Sequence, residues 1–243
     1  MMETNAYGQP VGKQVEDWRG SVFPEPEPMS GRLVRVEPLD VDRHANDLHA
    51  AFLEPSATPG EGLEERWTYL GGCPFENIAQ YRDWLAGRAA SRDPSFYAIV
   101  ENASGEALGM AAYLRIEPEG GSIEVGHLHF TPRLKRTPSA TEAMMLMMRR
   151  AFALGYRRYE WKCDALNAPS RRAAERLGFR FEGIFRQHRV VAGRNRDTAW
   201  FSILDSEWPA LENAFTRWLS PDNFDGRGRQ HKALSTLTHE VLA

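Results

Sequence analysis

An antiparallel meander followed by a strand–helix–strand unit is the feature that most constrains this fold. Strand-like runs at 96–100, 107–116 and 123–130 are separated by short glycine-containing turns, as is typical of consecutive antiparallel strands. Helical spacing follows at 139–154, and another strand at 158–163. A strand that returns through a helix pairs in parallel. The full order, β–α–α–β–β–β–α–β–α–β–β, predicts an α/β (α+β) fold on a mixed, mostly antiparallel, seven-stranded sheet flanked by helices.

The two ends of the chain differ from this central region. Residues 1–30 are polar and proline-rich, and predict an N-terminal arm that lies over the domain or is partly mobile. Residues 31–208 are predicted to form one domain, and residues 209–243 a C-terminal helix with a loose tail. One side of that helix is apolar, so it packs either on its own domain or on a second subunit, which leaves a homodimer open. That side carries Trp208, Leu211, Phe215 and Leu219.

Composition excludes several classes of partner. The chain has 30 basic and 33 acidic residues and a formal net charge of -3, which gives no overall attraction to nucleic acid or to an anionic membrane. It contains no apolar run of about 18 residues, and its N-terminus lacks an apolar signal core. Cys73 and Cys163 lie outside any CxxC motif, so both are expected to be free thiols. These features predict a cytoplasmic protein without a nucleic-acid or membrane partner.

The segment 130–141, FTPRLKRTPSAT, joins a strand to a helix. The first N–H groups of a helix are unpaired and carry partial positive charge, so they attract anions. Arg133, Lys135 and Arg136 lie just before this helix, and its first turn adds hydroxyl groups. The pattern fits a pyrophosphate site. The alternative is a surface loop whose basic side chains are simply solvated.

The C-terminal half carries a family resemblance. Together with the order of elements, the stretches TEAM, ALGYRRYEWKCDALNAPSRRAAERLGFRFEG and GRNRDTAWFSILDSEW resemble the GNAT N-acetyltransferases, in particular the branch of the ribosomal-protein acetyltransferases RimJ and RimL. The resemblance covers about residues 31–208, and its most specific part is Asn167-x-x-Ser170 followed by Glu175–Phe179. It implies a V-shaped sheet that splits between two strands, with acetyl-CoA, the cosubstrate, lying in the split.

The resemblance also implies which residues bind acetyl-CoA. The pantetheine would pair with a strand edge near His129, Phe130 and Thr131, and Asn167 and Ser170 match positions that touch the cofactor arm. The pyrophosphate would lie on the helix N-terminus, against Lys135, Arg136, Thr137, Ser139, Ala140 and Thr141.

One departure from the family is visible in this phosphate loop. The family pattern is (Gln or Arg)-x-x-Gly-x-(Gly or Ala), whereas this chain has Lys135-Arg136-Thr137-Pro138-Ser139-Ala140. Only the small residue at the end is retained, and the proline removes a backbone N–H. The departure keeps a second function open, namely a CoA-binding or CoA-sensing protein with little or no turnover.

Amine acetylation needs a base, because a primary amine is mostly charged at neutral pH. Glu124 is the leading candidate, since the family often places a glutamate on this strand, and it would act directly or through a water. An outward-facing glutamate that only solubilises the sheet is the alternative. His127 and His129 share one strand face with each other, and either could be the base instead.

The reaction also needs a proton for the departing thiolate. Ser170 or Tyr113 could donate it, although Ser170 could equally be a helix cap. Two histidines without a third ligand are a weak metal signal, so no metal is expected. The sequence therefore predicts direct transfer of acetyl to a primary amine, on either a protein N-terminus or a small molecule.

Overall fold

The computed structural model describes residues 3–56, 60–70 and 75–243. The strands are β1 (Glu3–Thr4), β2 (Pro10–Val11), β3 (Met29–Ser30), β4 (Val34–Pro38), β5 (Ser95–Glu101), β6 (Ala107–Glu117), β7 (Ser122–Phe130), β8 (Arg158–Asp164), β9 (Arg180–Val191) and β10 (Arg194–Leu204). The helices are α1 (Val41–Leu53), α2 (Ile78–Ala89), α3 (Pro138–Ala153), α4 (Ala168–Arg176), α5 (Trp208–Leu219) and α6 (Leu234–Leu242).

One large sheet has the strand order β3-β4-β5-β6-β7-β8-β10-β9. Its neighbours are antiparallel except β7 and β8, which are parallel and joined through α3. The predicted mixed, mostly antiparallel sheet flanked by helices is thus confirmed. It has eight strands rather than seven, because Met29–Ser30, within the predicted arm, pairs with β4. Strands β1 and β2 form a separate exposed hairpin.

Because successive side chains of a strand point to opposite faces of the sheet, the apolar residues form two layers, one on each face. Tyr97 and Ile99 of β5 join the core beneath α3 and α5, whereas Phe96 and Ala98 join the core beneath α1 and α2. Strand β8 continues this division. Its buried Tyr159, Trp161 and Cys163 belong to the first core, and its charged residues face the other way.

Caps fix where the helices begin. The Asp40 carboxylate accepts a hydrogen bond from the Arg43 N–H at the start of α1 (2.9 Å), and Asn77 does the same for Gln80 at the start of α2 (3.0 Å). Both are the side-chain types that satisfy free N–H groups at a helix start. No helix in the described ranges is long and apolar enough to span a membrane.

The two ends of the chain pack on the domain. The Trp18 indole donates to the Glu119 carbonyl (2.9 Å), and the Ser21 N–H donates to the Pro118 carbonyl (2.9 Å). The prediction of a loose tail is wrong for its last part, because α6 buries Leu234 and Leu237 in the main core and packs on α5.

The cysteine predictions have separate outcomes. Cys163 is a buried free thiol. Cys73 lies outside the described residues.

Candidate active site

Strands β7 and β8 pair along only part of their length. The parallel register runs from Ser122 opposite Arg158 to Val125 opposite Trp161. Beyond that point β7 continues to Phe130 and β8 to Asp164 without pairing to each other. The sheet therefore opens between them, as a V-shaped split requires.

A bulge on β7 lies at the mouth of this split. The register against β6 shifts between Met110 and Ala112, and His127 adopts a left-handed backbone with φ of 50°. Bulges re-aim side chains and leave backbone groups unpaired. The edge of β7 that faces the split has no strand partner past Val125 among the described residues, so its N–H and C=O groups can pair with an extended ligand such as pantetheine.

The loop after β7 leads into the N-terminus of α3. The Thr137 hydroxyl accepts a hydrogen bond from the Ala140 N–H (3.2 Å) and caps the helix. Pro138 occupies the first helical position, where a missing N–H costs little. The N–H groups of Arg136 and Ser139 have no acceptor among the described residues. The cradle thus keeps free backbone donors for a phosphate despite the proline.

Only one of the three basic side chains in this loop is without an acidic partner among the described residues. The Lys135 ammonium lies 2.7 Å from a Glu61 oxygen, and the Arg133 guanidinium lies 2.6 Å from Glu106. Arg136 is exposed and forms no ion pair within the described ranges. The guanidinium of Arg136 is therefore the one available to a phosphate without displacing a carboxylate.

We expect Arg136→Ala to raise the Kd for CoA about three- to tenfold, because it removes a charged contact at a solvent-exposed site. Isothermal titration would measure it. Arg133→Ala is the matched control, since it removes the same charge from the same loop but from a side chain already paired with Glu106. Equal losses in the two variants would show that only the net charge of the loop matters.

Other predicted cofactor ligands have their side chains engaged inside the protein. The Thr131 hydroxyl is buried and donates to the Leu108 carbonyl (2.7 Å), and the Thr141 hydroxyl accepts from Arg176 (3.2 Å). Ala140 is buried, Phe130 is half-buried and Ser139 is partly exposed. A ligand could therefore reach the backbone groups of Thr131 and Thr141 but not their hydroxyls.

Helix α4 begins at the same end of the split. The Asn167 side chain accepts a hydrogen bond from the Ser170 N–H (3.1 Å), and the Ser170 hydroxyl accepts one from the Trp161 indole (3.0 Å). A hydroxyl that accepts keeps its own proton for donation. Burial raises the pKa of the neighbouring Cys163 thiol, and Ser170 opposes this by hydrogen bonding, so the thiol is a poor nucleophile.

Glu124 lies at the base of the split, almost fully buried, between two cations. Arg115 donates to both of its carboxylate oxygens (2.6 and 2.9 Å), and the Lys162 ammonium lies 3.0 Å away. Lys162 also contacts Glu160 (2.7 Å) and lies 3.6 Å from the ring centre of Trp200. Arg158 extends this ionic network from the buried Glu160 to Glu182 at the surface. Arg115, Lys162 and Trp200 were not predicted from the sequence; for Lys162, the alternation of charge along 158–162 was the available signal.

The two β7 histidines lie in different environments. His127 is partly exposed beside Phe96 (5.2 Å between ring centres), and its pKa is lowered by desolvation and by Arg88 and Arg115. His129 is fully buried against the rings of Trp67 and Trp84. Both of its ring nitrogens lack a partner among the described residues, and burial, with Arg88 and His127, lowers its pKa to about 3.

Tyr113 is not in the cleft. It is fully buried in the core under α3, and its hydroxyl donates to the Met147 carbonyl (2.6 Å). This corrects the expectation that it could protonate a thiolate. Among the residues described, no cluster of three or more His, Cys, Asp or Glu could hold a metal ion.

Comparison with known proteins places this geometry in a family. Residues 34–180 match the model of the acetyltransferase (GNAT) domain. A GCN5-related N-acetyltransferase from Brucella melitensis is 49% identical, with a TM-score of 0.87 over 93% of this chain and 100% of that one. A probable acetyltransferase (GNAT family) from Chromobacterium violaceum is 40% identical, with a TM-score of 0.74 over 83% of this chain and 98% of that one.

More distant structures share the fold alone. A RimL ribosomal L7/L12 alpha-N-protein acetyltransferase in complex with coenzyme A is 17% identical, with a TM-score of 0.57 over 73% of this chain and 98% of that one. A search of the curated proteins finds no match. The domain match and the 49% identical relative together show that this chain belongs to the GNAT acetyltransferase family, whose fold uses acetyl-CoA.

Proposed function

We propose that the chain is an N-acetyltransferase that moves the acetyl group directly from acetyl-CoA to a primary amine. The observation that carries the proposal is the divergence of β7 and β8 beside Glu124. Among the described residues, the β7 edge that faces this split has no strand partner, and two N–H groups at the start of α3 have no acceptor. An extended pantetheine paired with β7 would bring its thioester to the point where the strands part. In this proposal His129, Phe130 and Thr131 contribute backbone groups at that edge.

The proposed reaction needs no acyl-enzyme. The amine nitrogen attacks the thioester carbonyl carbon, the C–S bond then breaks, and one amine proton leaves to a base. The thiolate takes a proton from the Ser170 hydroxyl, and Ser170 regains one from solvent water. Cys163 is excluded as a nucleophile by its burial and raised pKa.

Two residues compete for the role of base. Glu124 remains the candidate from sequence, acting through a water. Both of its oxygens accept from Arg115, and the Lys162 ammonium lies 3.0 Å from one of them, so both oxygens are already engaged by cations inside the protein. His127 is neutral at pH 7 because its pKa is lowered. It also lies on the β7 bulge, at the mouth of the split, which favours it for the role of base. We therefore propose His127 as the base and Glu124 as the residue that positions Arg115 and Lys162.

The acceptor is proposed to be a protein N-terminus, in keeping with the shared fold of RimL, a ribosomal L7/L12 alpha-N-protein acetyltransferase, and with a RimJ- or RimL-like assignment. A small-molecule amine is the other acceptor class. A cytoplasmic location without nucleic-acid or membrane partners fits the balanced charge. A homodimer would use a surface other than the apolar side of α5, because Leu211 and Phe215 are buried in this chain's own core.

A thiol-release assay over an amine panel tests the proposal. We expect CoA to raise the Tm, and acetyl-CoA to release free thiol only when a suitable amine is present. If CoA binds but acetyl-CoA releases no thiol in the presence of any peptide or small amine, the proposed enzyme function is overturned. That result would instead support the CoA-sensing alternative, which the proline-bearing loop keeps open.

A further inference from the structure

The tip of the β9–β10 hairpin concentrates positive charge. Arg186, Arg189, Arg194 and Arg196 lie in segment 186–196, which we call the arginine tip. No carboxylate of the described residues lies within 4.0 Å of any of these four guanidinium groups. Three of the four residues are exposed, and the Arg196 Nε is buried without a hydrogen-bond acceptor. In a chain of net charge -3, these four arginines are a strong local concentration of positive charge.

The cross-strand pairing within the arginine tip is unfavourable. Arg189 and Arg196 stand directly opposite each other in the antiparallel register, and like charges in that position repel. The nearby Asp197 forms no ion pair with either arginine within 4.0 Å among the described residues; its carboxylate accepts from the Gln187 N–H (2.7 Å) and the Asn195 side chain (3.0 Å), and Arg186 interacts with it electrostatically. Those bonds hold a bulge in β9. An anionic ligand would supply the missing counter-charge.

The arginine tip lies beside the candidate active site. The Ala165 N–H donates to the Asp197 carbonyl (2.9 Å), which ties the tip to the segment that follows β8, one wall of the split. Within the tip, the His188 ring lies 6.2 Å from the ring of Trp200, which contacts Lys162 of the ionic network. The pKa of His188 is lowered by desolvation and then by the charges of the tip and of that network.

The shape of this surface suits an extended chain better than a small molecule. Strand β9 is the last strand of the sheet order, so its outer edge offers backbone groups to an added strand. Exposed Phe185, Val190 and Val191 lie among the arginines. Two of the four cations lie on β9 and two on the neighbouring β10, and together they match several carboxylates along a peptide.

We infer that the arginine tip and the β9 edge bind an acidic, extended segment of the acceptor polypeptide, downstream of the amine to be acetylated. The inference rests on the proposed function and names its acceptor class. Charge complementarity of this kind acts mainly on encounter and selection, and it is weakened by salt.

Two peptides test the inference. They share their length and first two residues, and carry either four glutamates or four glutamines at positions 3–6. Fluorescence anisotropy of the full-length protein with CoA present gives the Kd of each peptide. The double variant Arg189→Gln/Arg196→Gln is compared with Arg217→Gln, an exposed arginine on α5. We expect the double variant to raise the Kd of the acidic peptide about tenfold, with the neutral peptide and the Arg217→Gln control changed less than about twofold.

The same variants distinguish other ligands. Equal weakening of both peptides, a rise confined to the Kd of CoA, or loss of binding to an RNA oligonucleotide would each overturn the inference. The Tm of the double variant should stay level or rise, because a repulsive pair is removed; a clear drop would mean that the arginines stabilise the fold. Binding is measured without turnover, so absence of acetylation would count against the proposed function alone.

Discussion

Replacing His127 by asparagine should lower kcat by about a hundredfold or more, the usual contribution of a positioned base. His127 is partly exposed on the β7 bulge, and desolvation with Arg88 and Arg115 lowers its pKa, so its ring is neutral and able to accept a proton at pH 7. Its side chain fills no core position, so Tm and the Kd for CoA should be nearly unchanged. Steady-state kinetics with acetyl-CoA and an active amine would measure the loss.

The pH profile separates His127 from Glu124. In the wild type, kcat/KM should show an acid limb below about pH 6.5, the ordinary value for histidine, since a lowered pKa moves protonation to more acidic pH; this limb is separate from the one near about pH 8 that protonation of the free amine gives to every variant. The asparagine variant should lose this acid limb. Glu124→Gln should instead lower both Tm and kcat, because Arg115 and Lys162 lose a charged partner. A large loss in Glu124→Gln with the acid limb intact in His127→Asn would restore Glu124 as the base.

Acid should destabilise the fold through His129. Its pKa is about 3 in the folded protein, chiefly because it is buried, and near 6.5 when unfolded. Between these values only the unfolded chain binds the proton, so stability is fully present above pH 6.5 and is lost as the pH falls. The loss is about 1.4 kcal/mol per pH unit, or about 2.7 kcal/mol at pH 4.5.

His129→Phe should remove most of this dependence. Phenylalanine keeps the ring contacts with Trp67 and Trp84 and has no unpaired nitrogen. The readout is the difference in unfolding free energy between pH 7.5 and pH 4.5, so a constant packing penalty cancels. Phe52→Leu, a change to another ring beside His129, is the control and should keep the wild-type difference. An unchanged difference in His129→Phe would mean that another group controls acid unfolding.

The sequence allowed the main sheet to be predicted, because the meander and the α3 crossover have clear periodicity. The short elements β1, β2, β3 and α6 were not predicted, and the last two show the physical reasons. Met29–Ser30 is a two-residue edge strand inside a proline-rich stretch, and its pairing with β4 depends on tertiary contact. Helix α6 follows a glycine- and arginine-rich segment, and it is stabilised by burial of Leu234 and Leu237 rather than by a long local pattern.

The candidate site, like the fold, was predictable from the sequence only in part. The α3 N-terminus and the Asn167–Ser170 segment are local in sequence, so their positions were predictable. The partners of Glu124 come from two neighbouring strands, and only register brings Arg115 and Lys162 to one carboxylate. The spacing of His127 and His129 gave no hint of depth: one lies at the bulge and the other is buried under the rings from α1 and α2.

Mass spectrometry of an acceptor after incubation with isotopically labelled acetyl-CoA tests the central claim most directly. For a lysine-free peptide with a free N-terminus, we expect one labelled acetyl group on its α-amine and an equal amount of free CoA thiol. The same peptide with a blocked N-terminus should carry no label. Small primary amines belong in the same experiment as alternative acceptors. Tight CoA binding with no labelled amine product would show that the protein does not transfer acetyl to an amine.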